Sequence, residues 1–221
     1  MRIQRKKALK TPKNLLLAAS EIFAEKGYRD ATIAEICKRA GANVAAVNYH
    51  FGNKETLYRE AWRYAFLESL KTHPPDGGVR EDASPEECLW GRIRALIHRI
   101  SDEHNKEFFI VHKELANPTG LLKKVMEEEI RPLKEKMEGL IRELLGPQIS
   151  ERDVQFSTIS IVSQCINPIL IQRIRKGGRE RKNHLPEISD IEAYAKHVFK
   201  FSMAGIRKIR EEAEKVNSYE E

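Results

Sequence analysis

The sequence has few of the residues that mark disulfide frameworks, zinc sites or extended disorder. Its 221 residues include only 3 cysteines, 12 glycines and 9 prolines. Cys37, Cys88 and Cys165 are far apart and form no Cys-x-x-Cys pair, so neither a disulfide framework nor a zinc site is expected, and a reducing cytoplasm is the simpler environment. Long apolar runs are also missing, and we therefore expect no membrane-spanning segment.

The alternation of apolar and polar residues that predicts a half-buried strand is missing as well. Apolar residues instead recur at spacings of three and four, which predicts an all-α fold. The turn-rich segment HPPDGGVREDASP, residues 73–85, predicts a boundary between an N-terminal domain, 1–72, and a helical C-terminal domain, 73–221.

Positive charge is confined to one part of the chain. The formal net charge is +6, and residues 1–60 hold 12 Lys and Arg against 6 Asp and Glu, whereas the remaining 161 residues hold 27 of each sign. A local basic excess beside a neutral body is the electrostatic pattern of nucleic-acid binding. A solvated basic tail would give the same composition, so charge alone leaves both interpretations open.

Capping residues divide the N-terminal quarter into short helices. Thr11-Pro12 predicts the start of the first helix, because a proline at the first helical position loses no hydrogen bond there. Gly27 predicts its end. Thr32 and Glu35 form the pattern of a capping box, which opens a second helix.

The next helices are separated by a turn of only three residues. Gly41 ends the second helix, Asn43 caps a third over residues 44–50, and Asn53 caps a fourth. Two helices joined by such a short glycine-containing turn make a helix-turn-helix. The third helix keeps Val44 and Val47 for packing, and its other positions are small or polar: Ala45, Ala46, Asn48 and Tyr49. The amide of Asn48 offers a donor and an acceptor to base edges.

Residues 27–58 resemble the TetR family of transcriptional regulators; their sequence is GYRDATIAEICKRAGANVAAVNYHFGNKETLY. Within them the segment NVAAVNYHFGNKE is similar to the CecR/YbiH-like branch of that family. The resemblance implies an N-terminal three-helix DNA-binding domain whose third helix enters the major groove of double-stranded operator DNA. It also implies the DNA contacts of individual residues. Asn43, Val44, Ala45, Ala46 and Asn48 would face bases or sugar, Tyr49, His50 and Lys54 would hold the backbone, and Thr32 would contact phosphate. Lys6, Lys7, Lys10 and Lys13 sit beside the motif, where two interpretations stay open: they embrace the minor groove or the DNA backbone, or they form a solvated tail.

The C-terminal part contains a segment that is apolar on nearly all sides, residues 153–175. A helix of this kind must be covered on all sides. We therefore predict a homodimer through 153–175 and the last helix, 189–216. The alternative, a purely intramolecular core, leaves one face of 153–175 without a partner.

The resemblance further implies that the C-terminal domain encloses an unknown small-molecule effector. The expected pocket residues combine apolar walls with a few polar groups: Phe66, Trp90, His98, Phe109, His112, Gln164 and Asn167. His98, His104 and His112, with Glu114, could suggest a metal site, but scattered histidines on amphipathic helices are usually ordinary core or surface residues, and no metal or cofactor is expected.

Together these observations predict a cytoplasmic repressor that binds a pseudo-palindromic operator as a dimer and is released by a ligand. Two other classes stay open from sequence. One is a small enzyme, although no catalytic constellation is visible. The other is a helical module whose basic end meets protein or membrane.

Overall fold

The computed structural model describes residues 2–80, 82–176 and 187–217, with side chains described over 11–80, 82–175 and 187–215. Within these ranges the regular structure is entirely helical, which confirms the all-α prediction. The helices are α1 Arg2–Asp30, α2 Ile33–Ala40, α3 Val44–Phe51, α4 Lys54–Thr72, α5 Pro85–Ser101, α6 Glu107–Ala116, α7 Lys123–Leu145, α8 Glu151–Lys176 and α9 Ile191–Asn217.

The first helix is longer than its capping pattern predicted. It begins at Arg2, and Pro12 lies inside it rather than at its start, so the predicted start at Thr11 is wrong. The residues before the proline are mostly Arg, Lys, Gln, Ala and Leu, which propagate a helix well and offset the one hydrogen bond that Pro12 removes. The predicted break at Gly27 is confirmed, because its φ of 78° and ψ of 178° are not helical.

Residues 1–71 and 103–131 form one compact unit. Within it α1 packs against α2, α3 and α6. The core consists of side chains from four helices and the residue before α7, each at most 1% exposed: Leu15, Phe23, Ile36, Leu57, Tyr58, Trp62, Ile110 and Leu122. Arg63 on α4 adds an ion pair with Glu129 on α7 at 2.8 Å.

Residues 72–102 and 132–221 form a second compact unit, built by α5 packing against both α8 and α9. Its core residues are again almost fully buried: Leu89, Ile93, Ile97, Ile141, Val154, Cys165, Ala195 and Val198. The turn-rich segment before α5 packs closely on that helix, since a Cβ on Gly77 would lie 2.4 Å from the carbonyl oxygen of Gly91. Both positions therefore require glycine.

The two faces of α8 differ in burial. Val154, Cys165 and Ile169 are at most 2% exposed, whereas Phe156 is 58% and Ile159 is 61% exposed. By length and composition α8 could cross a membrane, so the expectation that no segment is long and apolar enough is wrong. A helix with one core face and one exposed apolar face has a high mean hydropathy without crossing a membrane, because the mean is taken over both faces.

The compact units do not coincide with contiguous stretches of sequence, because 103–131 packs with the N-terminal helices. The division into a DNA-binding domain at 1–72 and a regulatory domain at 73–221 is a statement about function, and it stays a prediction.

Candidate nucleic-acid interface

A tight turn joins α2 to α3, and its capping residues determine its shape. Gly41 has φ 63° and ψ 34°, the left-handed conformation that side chains with a Cβ adopt only with strain. Asn43 is extended, and its Oδ1 accepts the N–H of Ala46 at 2.9 Å. The predicted caps and the helix-turn-helix are thereby confirmed.

Helix α3 is attached to the body through one side only. Val47 is 1% exposed and is the buried residue of this helix. Val44, predicted to pack, is instead 49% exposed, as the first residue of α3 at the end of the turn. Ala45, Asn48 and Tyr49 are exposed as well, and Asn48 neighbours Val44 and Ala45 while Tyr49 neighbours Ala45, since residues three and four apart along a helix lie side by side.

Two asparagines place amide groups at this face. The Oδ1 of Asn43 is used by the helix cap, which leaves its Nδ2 as a donor. Asn48 is exposed, and its amide has the donor and acceptor pair that matches the N6 and N7 edge of adenine. The two groups therefore differ in role: the oxygen of Asn43 already accepts the cap hydrogen bond, whereas both ends of the exposed Asn48 amide are available for a bidentate contact.

Tyr49 and His50 form a pair at the C-terminal end of α3. Tyr49 is 85% exposed, and its ring meets that of His50 edge to face, with centroids 4.8 Å apart. An exposed phenol and imidazole at a helix end can donate hydrogen bonds to phosphate oxygens. Their packing against each other limits the orientations of both rings.

Thr32 is already engaged within the chain. Its hydroxyl donates to Glu35 Oε2 at 2.9 Å and accepts the Glu35 N–H at 3.2 Å. Lys26 forms an ion pair with the same carboxylate, and its hydrogen bond, followed by those of Thr32, lowers the pKa of Glu35 to about 2. The hydroxyl hydrogen of Thr32 is thus donated to Glu35, and a phosphate contact by this side chain stays a prediction.

Lys54 begins α4 and is held against the end of α1. Its Nζ lies 4.5 Å from the centroid of the Tyr28 ring and donates to the carbonyl oxygen of Arg29 at 3.4 Å. Burial lowers the pKa of Lys54, and nearby Asp30 opposes this shift. The ammonium group is therefore ordered before any phosphate arrives, beside the N–H groups at the start of α4 that favour an anion.

The expected pocket residues fall in both compact units. Phe66 is buried and stacks on Trp62 with centroids 5.1 Å apart, and Phe109 and His112 are half-buried in the same unit. Trp90, His98, Gln164 and Asn167 belong to the other unit.

The four in the second unit do not form one cluster through their hydrogen bonds. The ring of Trp90 contacts Phe199 with centroids 5.6 Å apart, and His98 pairs with Glu192 at 3.0 Å. Gln164 donates to the carbonyl of Ser160 within its own helix, and Asn167 is exposed. Over the ranges that are described, no group of three His, Cys, Asp or Glu residues could hold a metal ion. The side chains of Lys6, Lys7 and Lys10 lie outside the described residues.

One buried polar contact near this interface could not be predicted from the sequence. Tyr58 on α4 is fully buried and donates to Glu114 on α6 at 3.0 Å. The two residues are 56 positions apart, so no local spacing pattern relates them. A tyrosine within the apolar face of α4 was the only available signal, because a buried phenol needs a hydrogen-bond partner.

Two protein families match this chain. The family described as bacterial regulatory proteins, tetR family, matches residues 15–61. The C-terminal domain of the HTH-type transcriptional dual regulator CecR matches residues 85–206, more than half of the chain.

Individual relatives agree with these matches. The dual regulator CecR of Shigella flexneri is 30% identical over 166 residues, which cover 70% of this chain and 73% of that protein. The transcriptional activator FasR of Mycolicibacterium smegmatis is 33% identical over 97 residues, 42% of this chain and 41% of that protein. The fold resembles that of the fatty acid degradation regulator FadR from Bacillus halodurans, with a TM-score of 0.68, 17% identity and coverage of 89% and 96% of the two chains. A TetR-like regulator from Rhodococcus sp. RHA1 has a TM-score of 0.64 at 17% identity, over 88% and 94%.

Proposed function

The chain belongs to the TetR family of bacterial transcription regulators, and on this premise we propose that it binds a pseudo-palindromic operator as a homodimer and leaves it when a small molecule binds. The exposed α3 carries the DNA part of the proposal, because it presents Asn48 and Tyr49 while Val47 anchors the helix. The family assignment identifies a transcription regulator rather than an enzyme.

DNA binding is supported by the division of roles at the interface. Tyr49, His50 and Lys54 supply donors for phosphates, and Asn48 supplies an amide for a base edge. If a dimer neutralises on the order of 8 phosphates, the logarithm of the association constant falls with that of the salt concentration at a slope near −7. Fluorescence anisotropy with the DNA upstream of the coding sequence, at several salt concentrations, tests this. Equal affinity for unrelated duplex DNA at moderate salt would favour a nonspecific basic module instead.

Dimerisation is supported by exposed apolar side chains on α8 and α9. Phe156, Ile159, Ile171 and Phe201 are between 43% and 63% exposed. A symmetric pairing of the two helices with those of a second copy would cover all four and form a four-helix interface. Binding of a pseudo-palindromic operator by such a dimer requires that its two copies of α3 meet half-sites about 34–36 Å apart. Light scattering that gave a mass near 25.5 kDa would contradict this part of the proposal.

Ligand binding is supported by buried hydroxyls within the second unit. Ser157, Thr158 and Ser202 are 5–8% exposed, and their oxygens have no hydrogen-bond partner among the described residues. Tyr194 OH donates to the Gln164 carbonyl, and Gln172 donates to the carbonyl of Ile188, so the two segments run in opposite directions. Extended along both helices, this direction supports a location of Ser202 near the level of Ser157 and Thr158.

Buried hydroxyls without partners are costly, and a bound molecule with polar groups would satisfy them. An apolar site with a few such groups suits a mainly hydrophobic ligand. The polar contacts of the ligand are thus proposed at these hydroxyls, in addition to the residues expected from sequence.

Release from DNA requires that the ligand prefer the form that does not bind DNA. A hundredfold release corresponds to a preference of about 2.7 kcal/mol, and operator DNA must then weaken ligand binding by the same factor. A compound identified by its release of the labelled operator would be titrated calorimetrically with and without saturating operator. Equal ligand affinity in both titrations would contradict the coupling.

The direction of regulation is the remaining part of the proposal. We propose that the protein acts in the cytoplasm. We also propose that it is a repressor, because a dimer bound across a promoter excludes polymerase. A reporter fused to the upstream DNA should be expressed more strongly when this coding sequence is deleted. Lower expression after deletion would instead indicate an activator.

A further inference from the structure

Glu114 on α6 gathers donors from two separate segments. Its Oε1 accepts the N–H groups of Thr119 and Gly120, each at 2.8 Å. The Thr119 hydroxyl lies 2.8 Å from Oε1 and 3.0 Å from Oε2, and Oε2 accepts the Tyr58 hydroxyl at 3.0 Å. One carboxylate therefore shapes the connection between α6 and α7 and holds a buried residue of α4.

The contact continues from Tyr58 to the interface through aromatic rings. The rings of Tyr58 and Tyr28 are tilted against each other with centroids 5.1 Å apart. Tyr28 in turn carries Lys54 over its face at 4.5 Å. Burial, followed by the charge of Glu114, raises the pKa of Tyr58, so the phenol remains a donor at physiological pH.

A second set of contacts closes this path into a ring. The backbone carbonyl of Arg29 accepts a hydrogen bond from Lys54 Nζ at 3.4 Å. The guanidinium of Arg29 donates to Asn117 Oδ1 at 3.1 Å and to the Pro118 carbonyl at 3.4 Å. Asn117 and Pro118 belong to the same connection that Glu114 organises. All members lie within one compact unit, although they come from three separate stretches of the sequence, 28–29, 54–58 and 114–118.

We propose that Glu114 is a positioning residue for DNA binding, acting through Tyr58 and Tyr28 to order the ammonium group of Lys54. This inference rests on the proposed operator binding. A lysine side chain loses rotamer freedom when it contacts phosphate, and a side chain already ordered loses less. Glu114 thereby contributes to DNA affinity without touching DNA. Its contribution is the same for all sequences, because phosphate contacts carry no base information.

The test measures the DNA affinity of two variants, Glu114→Gln and Tyr58→Phe. The second keeps the ring of Tyr58 and removes its hydroxyl. Glu127→Gln is the matched control, because it removes an equal charge from an exposed position on α7 in the same unit. DNA affinity of Glu114→Gln should fall about fivefold on specific and nonspecific duplexes alike, whereas Glu127→Gln should change it less than about twofold. The Glu114→Gln effect should vanish in a Lys54→Met background, because both changes remove the same contribution. A loss of equal size in that background would overturn the proposal.

A measurement without DNA separates this inference from the proposed function. Protons on the Cε of Lys54 lie near the face of Tyr28 and should resonate upfield of other lysines in protein labelled at that carbon. Glu114→Gln and Tyr58→Phe should move this signal toward the position of exposed lysines, while Glu127→Gln should leave it in place. An unmoved Lys54 signal in both folded variants would overturn the positioning role. If the wild-type protein bound no operator but the signal moved as expected, only the proposed function would fail.

Discussion

Thr32 and Glu35 cap α2 reciprocally: the Glu35 carboxylate accepts the backbone N–H of Thr32 at 3.1 Å, and the Thr32 hydroxyl accepts the backbone N–H of Glu35 at 3.2 Å. The Lys26 ammonium joins the same carboxylate. This small network sets the start of the helix that supports the recognition helix.

Because of this network, part of the free energy of unfolding should be lost as the pH falls into the acid range. The pKa of Glu35 is lowered to about 2, so its contribution is present above the ordinary carboxyl pKa of about 4.5 and is lost as pH falls toward about 2. Glu35→Gln should therefore lower the melting temperature at pH 7. The difference from wild type should shrink between pH 4.5 and pH 2.5. A constant difference across this range would show that the charge of Glu35 does not contribute.

Asn48 and Tyr49 should be distinguishable by their effect on sequence preference. Asn48→Ala should cost about 1–3 kcal/mol on the preferred operator and little on unrelated DNA. Tyr49→Phe removes one phosphate donor and should weaken all duplexes to a similar extent. Binding to a panel of operators with single base-pair changes measures both effects. Equal losses on every duplex for both variants would contradict the assignment of Asn48 to base contact.

The exposed apolar face of α8 and α9 should control the oligomeric state. Ile159→Asp and Phe201→Asp should convert a dimer to a 25.5 kDa monomer, because each would bury an unpaired charge in the interface. Leu115→Asp is the control, since Leu115 is 75% exposed on α6 in the other unit. Light scattering measures the masses. A Leu115→Asp monomer together with an Ile159→Asp dimer would place the interface elsewhere.

Two glycines should respond oppositely to alanine, although a Cβ at either would meet no atom within 4 Å. Gly41 has φ 63°, so Gly41→Ala should lower the free energy of unfolding by about 1–2 kcal/mol. Gly139 lies inside α7, and Gly139→Ala should raise it by about 0.5–1 kcal/mol. Urea denaturation of the two variants measures both changes. The same sign in both would mean that helix formation and backbone strain do not dominate at these sites.

Thr158 gives a test of the buried hydroxyls. Its oxygen is buried without a hydrogen-bond partner among the described residues, so Thr158→Val should raise the free energy of unfolding of the ligand-free protein by about 1 kcal/mol. The same variant should weaken the response to a releasing ligand. Destabilisation of the ligand-free protein would indicate that the hydroxyl is already satisfied by water.

Local sequence signals determined much of this protein. The capping box at Thr32, the glycine at position 41 and the cap at Asn43 each act over four residues or fewer, so they could be recognised from sequence and were confirmed. Helical spacing of apolar residues gave the all-α class for the same reason. The start of α1 was predicted wrongly, because Thr11-Pro12 has the form of a cap whether or not the chain before it is helical.

Tertiary structure decided which of the polar residues act together. Lys54 was expected to face phosphate, and only the fold showed that its ammonium lies over Tyr28 and beside the Arg29 carbonyl. Tyr58 and Glu114 meet across 56 positions. Likewise, the burial of only one face of α8 depends on where α5 and α9 pack. Periodicity reports which residues share a face, but packing between distant segments determines what that face meets.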